Sequence, residues 1–335
     1  MTNPYWGNDF FEFFVTLAVR LKEFLLGGFS HMQLASDELQ MLVLILISIS
    51  SALVGTFLVL RRMTMLANAL SHTILAGVVI AFLAYHAFIA PSEAFDFSHL
   101  LPSDALLVAS AFICAMVTTF LTQSCIRFLK VPEDASTGIV FTFLFAAGIV
   151  LVTALSRNAH IGIELLMGNV DALQQGDLQL VFWVFVTNCL LFFLFWRAFF
   201  VTTFDPVFAH IFGLSNMVFG YLMMALVALS SIAAFRAVGV LMVLAFFVTP
   251  VLVARLWIHR LCPLAFLACA IGVATSIVGV ALSRHLLSVM GLACSTSAIV
   301  VTLLFLLLLG CIITKKLSYM RVKKGEGNYG SEITG

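Results

Sequence analysis

Charge is what this chain has least of. Of its 335 residues only 10% are Asp, Glu, Lys or Arg, while 62% are hydrophobic, and the mean hydropathy is +1.14. A soluble domain carries about 25% charged residues, so the composition excludes a soluble globular protein and indicates a polytopic membrane protein. Proline is scarce too. Of seven, only Pro250 falls deep in an apolar segment, where Phe247-Val248-Thr249-Pro250 predicts a kinked helix with Thr249 helping to satisfy the freed backbone groups. The seven cysteines (114, 125, 189, 262, 269, 294 and 311) lie mostly inside apolar runs and never in a C-x-x-C spacing. They read as small buried hydrophobes, not as a zinc cage or a disulfide framework. There is no G-x-x-x-x-G-K-[ST], so no nucleotide is bound through a P-loop, and no H-E-x-x-H or Ser/His/Asp constellation. Gly325-x-Gly327-x-x-Gly330 matches a dinucleotide pattern literally, but it follows no strand and opens no βαβ unit, so it is a coincidence. No secretory signal is expected either, because Asp9 and Glu12 precede the first basic residue.

What is present is apolar length. Nine segments long enough to cross a bilayer follow one another at roughly 39–60, 64–90, 105–127, 135–155, 179–200, 216–235, 238–256, 263–283 and 295–314. They predict an all-α polytopic membrane protein of eight or nine transmembrane helices, with no soluble domain. Before them, residues 10–29 mix Phe11, Phe13, Phe14 and Leu17 with Glu12, Arg20, Lys22 and Glu23, a pattern suited to a helix lying in the interface. The expected organisation is an N-terminal interfacial segment (1–38), a transmembrane domain (39–314) and a basic, Gly-rich, disordered cytoplasmic tail (315–335). Basic residues set the orientation. With the Arg61/Arg62 turn, the loops 127–134 and 197–215, the 255–260 turn and the tail placed inside, that side collects twelve Lys/Arg and five Asp/Glu. The other side holds five Lys/Arg and eleven Asp/Glu, including the acidic loops 91–104 and 156–178 with His99 and His160. The N-terminus is then outside and the C-terminus cytoplasmic. The lipid bilayer is the medium, and no nucleic-acid partner is expected.

Three places can carry chemistry. From Met63 to Ser92 there is no charged residue, yet Asn68 and His72 stand four positions apart, on one helical face. At about 1.5 Å per residue, His72 lies roughly 15 Å from the Arg61/Arg62 turn, near the bilayer midplane. Imidazole suits first-row transition metals and an amide oxygen can complete the set. The pair also fits interhelical hydrogen bonding beside the small residues Ala67 and Ser71, and both readings stand. On the basic side, Asp205 is a good N-cap, Pro206 a good first helical residue and Gly213 a good C′ residue, with Phe208, Ile211 and Phe212 on one face between them. This two-turn helix is either a docking knob for a soluble partner or a helix resting on the membrane surface. Third, Arg236–Arg255 reads as a tightly packed broken helix, Gly239 permitting close approach and Pro250 the break.

The runs VGTFLVLRRMTMLANALSHTILAG (54–77), PEDASTGIVFTFLFAAGIVL (132–151), FDPVFAHIFGL (204–214) and AVGVLMVLAFFVTPVLVARL (237–256) resemble the permease family of ATP-binding-cassette importers for zinc, manganese and iron. They fall in the family's order and spacing, and the resemblance covers about residues 40–312. It implies a type II importer-like helical bundle in a bacterial plasma (inner) membrane. It also implies a second permease in a homo- or heterodimer, cytoplasmic ABC ATPase subunits that hydrolyse the ATP, and an extracytoplasmic metal-binding protein. This chain would then be a transport subunit rather than an enzyme, with no permanently bound cofactor and a divalent metal (Zn, Mn or Fe) as cargo. Asp205, Pro206, Phe208, Ile211, Phe212, Gly213 and Leu214 are similar to the family's ATPase-coupling helix. The family's D-A-L-S-H metal-contacting stretch stands here as Asn68-Ala69-Leu70-Ser71-His72: the histidine matches and the aspartate does not. Either a partner permease supplies the missing acid, or the site is weaker or differently selective. The family's L-P-G is Leu75-Ala76-Gly77, which removes a kink. Two alternatives keep the membrane setting: a permease for a metal chelate of siderophore or cobalamin type, and an ATP-independent secondary transporter.

Overall fold

The computed structural model describes residues 4–7, 9–25, 35–65, 67–70, 73, 76, 77, 79, 80, 104–156 and 170–332, and every regular element among them is helical. In chain order these are α1 (Phe10–Leu25), α2 (Ser36–Leu60), α3 (Asp104–Leu129), α4 (Glu133–Ser156), a 3-10 turn at Val170–Ala172, α5 (Gln175–Leu194), α6 (Trp196–Phe204), α7 (Pro206–Ile211), α8 (Asn216–Val238), α9 (Val240–Trp257), α10 (Leu261–Ser288) and α11 (Thr296–Glu332). Seven helices among the described residues are long and apolar enough to cross a membrane: α2, α3 over Phe112–Leu129, α5, α8, α9, α10, and α11 over Thr296–Ser318. The helix α4 adds a shorter apolar stretch, Ala135–Leu151. The remaining expected span, 64–90, is helical at its described residues up to Ile80.

Boundaries differ from the sequence reading where packing intervenes. The apolar run 179–200 is not one helix. It breaks at Phe195 (φ −102°, ψ 15°), and α6 starts anew. At that break Phe195 packs on Phe219 (ring centroids 5.9 Å apart) and Trp196 on Phe57 and Phe192 (5.4 and 5.1 Å). Gly239 also serves a purpose other than close approach. It separates α8 from α9 at φ +91°, ψ 158°, a conformation that a side chain opposes. α9 then runs through Pro250 to Trp257. The last helix continues to Glu332, whereas composition predicts a disordered tail from Lys315. No proline interrupts 296–332, and extending an existing helix costs far less than starting one.

The bundle is built around α2, which packs on α5, α8, α9 and α10. An apolar helix with partners all round needs small residues where backbones meet, and α2 supplies Ser48, Ser50, Ser51, Ala52 and Gly55, all buried. At Gly55 the approach to α9 is so close that a Cβ would lie 2.1 Å from the Phe247 carbonyl oxygen and 2.9 Å from its carbon. Backbone cannot swing aside as a side chain can. Gly55→Ala is therefore expected to destabilise the bundle by about 1–3 kcal/mol, the usual range for overpacking, visible as a lowered unfolding midpoint in detergent.

Midway along α2 a polar seam joins three helices. Asn188 Nδ2 donates to Ser50 Oγ at 2.9 Å and to Ser230 Oγ at 2.6 Å, linking α5, α2 and α8. The opposite end of that amide, Asn188 Oδ1, is buried with no partner among the described residues, as is Ser51 Oγ. A cavity of about 10 Å³ lined by Ser50, Ser51 and Ser230 lies beside them, the size of one water molecule.

α1 docks against α10. Tyr5 and Phe13 are fully buried with ring centroids 4.8 Å apart. The Tyr5 hydroxyl donates to Glu38 Oε1 (2.8 Å) and Arg20 Nη2 to Glu38 Oε2 (3.2 Å). Burial first, then the bond to Glu38 and its charge, push the Tyr5 hydroxyl well above its ordinary pKa. Phe11, Val15 and Val19 form a second apolar stripe that the bundle leaves exposed.

Side-chain bonds between helix ends sort those ends onto two faces. On one, Arg61 at the end of α2 bonds to Thr202 and Thr203 at the end of α6, and Lys315 Nζ to the Leu256 carbonyl at 2.7 Å. On the other, Asp37 pairs with Arg284, Asp177 with Arg236, and Asp171 with Thr296. The first face carries the basic clusters and α7; the second carries the acids.

Candidate functional site

Local chain chemistry builds α7 completely. Asp205 accepts from the Phe208 N–H at 2.8 Å through Oδ1, which satisfies one of the free amides of the first turn. Pro206 occupies the first helical position, where the missing N–H costs nothing. At the other end Gly213 takes φ +75°, its N–H donates to the His210 carbonyl (3.1 Å) and the Leu214 N–H to the Ala209 carbonyl (2.9 Å). Those two bonds close a Schellman motif. Asn216 Nδ2 then donates back to the Pro206 carbonyl at 2.8 Å, and Ser215 caps α8. The helix is thus rigid at six residues, a length at which an isolated helix in water would not persist.

Most of its apolar side chains are left exposed by the described residues. Ala209 is fully buried toward the bundle, whereas Val207, Ile211 and Phe212 are 72%, 75% and 66% exposed. The Phe208 and Phe212 rings pack against each other tilted by 49°, with centroids 4.6 Å apart, and both remain exposed. A capped, braced helix thus presents four large apolar side chains at a basic face, a pattern out of keeping with a fully solvated surface.

The second candidate lies two turns beyond Arg61. Asn68 is half-buried on the helical stretch that begins at Thr64, with Ala67, Ala69 and Leu70 buried around it. His72 and Ser71 lie outside the described residues. The stretch is clamped between α3 and α4. A Cβ on Gly77 would lie 2.5 Å from Cys114 Cβ, one on Gly148 would lie 3.1 Å from the Ala76 nitrogen, and Cys114 Sγ donates to the Thr73 carbonyl at 3.1 Å. Among the described residues no three His, Cys, Asp or Glu side chains gather.

The family model described as the ABC 3 transport family matches residues 38–315. The chain belongs to the ABC 3 transport family. A probable metal transport system membrane protein of Chlamydia muridarum is 40% identical over 316 residues, covering 93% of this chain and 94% of its own. The manganese transport system membrane protein MntC of Halalkalibacterium halodurans is 33% identical, covering 70% of this chain and 74% of its own. In fold, the chain is similar to PsaBC from Streptococcus pneumoniae, solved in complex with Fab, with a TM-score of 0.65 at 22% identity, over 87% of this chain and 95% of that one.

As a multi-pass member of the ABC 3 family, the chain also carries features its sequence did not announce. A cleft of about 610 Å³ opens on the acidic face between α2, α10 and the start of α11. Inside it Arg284 Nε donates to Asp37 Oδ1 (3.0 Å), and Asp37 is only 3% exposed. Thr296 Oγ1 donates to Asp171 Oδ1 (2.6 Å), so Asp171, in the expected acidic loop 156–178, pins the first turn of α11. His99 and His160 lie outside the described residues. Asn188 was legible in principle as a lone amide inside an apolar run, the same signal that singled out Asn68. Asp37 and Arg284 are 247 positions apart and gave no such signal.

Proposed function

We propose that this chain is the permease subunit of an ATP-driven importer that carries a divalent transition metal ion, with manganese the favoured cargo, across a bacterial plasma (inner) membrane. The observation that carries it is α7, a capped helix with an exposed aromatic pair on the basic face, fitted to seat in a cytoplasmic ATPase subunit. Support for a metal cargo comes from relatives whose names record metal or manganese transport, and from the Asn68/His72 register near the bilayer midplane. The basic face is cytoplasmic by the positive-inside rule, which places the N-terminus outside and the C-terminus inside. The acidic cleft around Asp37 and Asp171 then faces the extracytoplasmic binding protein that hands over the ion. The exposed Phe11–Val15–Val19 stripe of α1 rests in the lipid interface. A second permease, of the same or a different sequence, completes the metal site and supplies the carboxylate that Asn68 lacks. ATP binding and hydrolysis in the partner subunits rock the bundle between outward- and inward-facing states.

The test is uptake by the complete complex in proteoliposomes. Mn²⁺ is expected to accumulate only with ATP and the ATPase subunits present, with Zn²⁺ and Fe²⁺ as competitors. Accumulation without the ATPase would replace this reading by a secondary transporter. Competition by an iron siderophore or cobalamin, but not by free ions, would replace it by a chelate permease.

A further inference from the structure

On the basic face a side-chain joint ties residues 141 and 142 positions apart, and it lies close to both candidate sites in the chain. Arg61 is the C-cap of α2. Its guanidinium donates through Nε to Thr203 Oγ1 (2.9 Å) and through Nη2 to Thr202 Oγ1 (2.8 Å). Thr202 is buried and its hydroxyl donates to the Ala198 carbonyl (2.8 Å), which leaves its oxygen lone pairs free to accept from the arginine. Two residues after Thr203 comes Asp205, the cap of α7.

Both sides of this joint are stiff. Behind it, Phe57 of α2 packs on Phe192, Trp196 and Phe199, with ring centroids 5.4, 5.4 and 5.9 Å away, so α2 and α6 meet as one aromatic block. Ahead of it, the chain leaves α2 through a closed turn. The Arg62 N–H donates to the Val59 carbonyl (3.2 Å) and the Met63 N–H to the Leu58 carbonyl (3.0 Å), with Arg62 held at φ +61°. This is the Schellman pattern, closed here on a non-glycine residue that pays strain to hold it. Helix resumes at Thr64 and reaches Asn68 within about one turn. There is no slack from Asp205 through Thr202 and Thr203, Arg61 and the turn to Asn68.

We propose that Arg61 is a positioning residue for transport: its two-pronged bond to Thr202 and Thr203 transmits displacement of α7 to the helical stretch that carries Asn68. The proposal rests on the reading of α7 as the ATPase-docking helix. A fixed, planar fork suits this task, because two divergent donors resist rotation where a single ammonium does not. Arg61, the two threonines and the closed turn form one continuous connection between the two ends, and coupling through it requires that the connection switch between two discrete arrangements.

The test compares Arg61→Met, Arg61→Lys and Thr202→Val/Thr203→Val in the complete complex with its ATPase subunits, reconstituted in proteoliposomes with Mn²⁺ as the probe. The readouts are Mn²⁺ accumulated per ATP hydrolysed, ATPase co-purification and unfolding midpoint. Arg61→Met and the threonine pair are each expected to lower accumulation per ATP on the order of tenfold, while the ATPase stays bound. Combining them should add nothing further, and Arg61→Lys should recover part of the loss. Full transport per ATP in Arg61→Met, or additive losses in the combination, overturns the proposal. Loss of the ATPase from Arg61→Met also overturns it, since the fork would then merely hold α7 in place. A Phe208→Asp/Phe212→Asp control separates the two levels. If that control keeps its ATPase, docking through α7 fails irrespective of Arg61. If it loses the ATPase while Arg61→Met transports normally, only the fork fails.

Discussion

Phe208→Asp/Phe212→Asp is expected to yield a permease that inserts and folds but no longer binds or stimulates its ATPase. Both rings are exposed in the isolated chain, at 46% and 66%, so the bundle loses little when they go. Position 208 is the third residue of α7, where a carboxylate interacts well with the helix N-terminus; position 212 is the C-cap, where it costs a few tenths of a kcal/mol. The helix itself survives. What is lost is burial against a partner: about 1.5–3 kcal/mol for each large apolar side chain, hence about two to four decades of affinity for the pair. Two carboxylates would also enter an apolar groove unpaired, which adds to the loss. Co-purification of the ATPase and its stimulated hydrolysis measure this directly. Stimulation at the level of the unaltered chain would rule out docking through α7.

The other large effect is expected at His72. His72→Ala should abolish metal uptake while leaving assembly with the ATPase intact, because position 72 is not part of α7, the helix proposed to dock. Weakening the environment of a metal ligand costs about 10–100-fold, and removing the ligand itself costs at least the upper end of that range. Asn68→Asp is the companion variant. Restoring a carboxylate one turn before His72 adds a full negative charge to the site, so apparent affinity for a divalent ion should rise. Steady-state Mn²⁺ uptake over a concentration series reads both. Normal uptake in His72→Ala would remove the histidine from the site. No change in half-saturation for Asn68→Asp would show that residue 68 does not face the ion.

How much was legible beforehand depended on how local the cause was. α7 was readable residue by residue, because a cap, a proline and a left-handed glycine each act on backbone groups within a few positions. The spans were readable because crossing hydrocarbon demands a continuous apolar run whatever surrounds it. Asn68 was readable as a polar residue on an apolar helical stretch, while its expected partner His72 lies outside the described residues. The split of the run 179–200 at Phe195 was not readable. Composition is apolar on both sides of it, and the break accompanies Phe57, Phe192 and Phe219 packing around Trp196 and Phe195.

The sequence by itself determined that this chain crosses a membrane many times, which of its turns are basic, and that a capped helix stands at one of them. Each follows from hydration of charge, from hydrocarbon thickness, or from backbone groups that must be satisfied within a turn or two. Only the tertiary structure decided that Arg61 grips Thr202 and Thr203, 141 and 142 positions away, that Asp37 meets Arg284 across the acidic cleft, and that Gly55 lies against the α9 backbone at Phe247. The physical reason is the same in each case. Which helix faces which is set by the shape of packed surfaces summed over the whole bundle, and no window of sequence contains that sum.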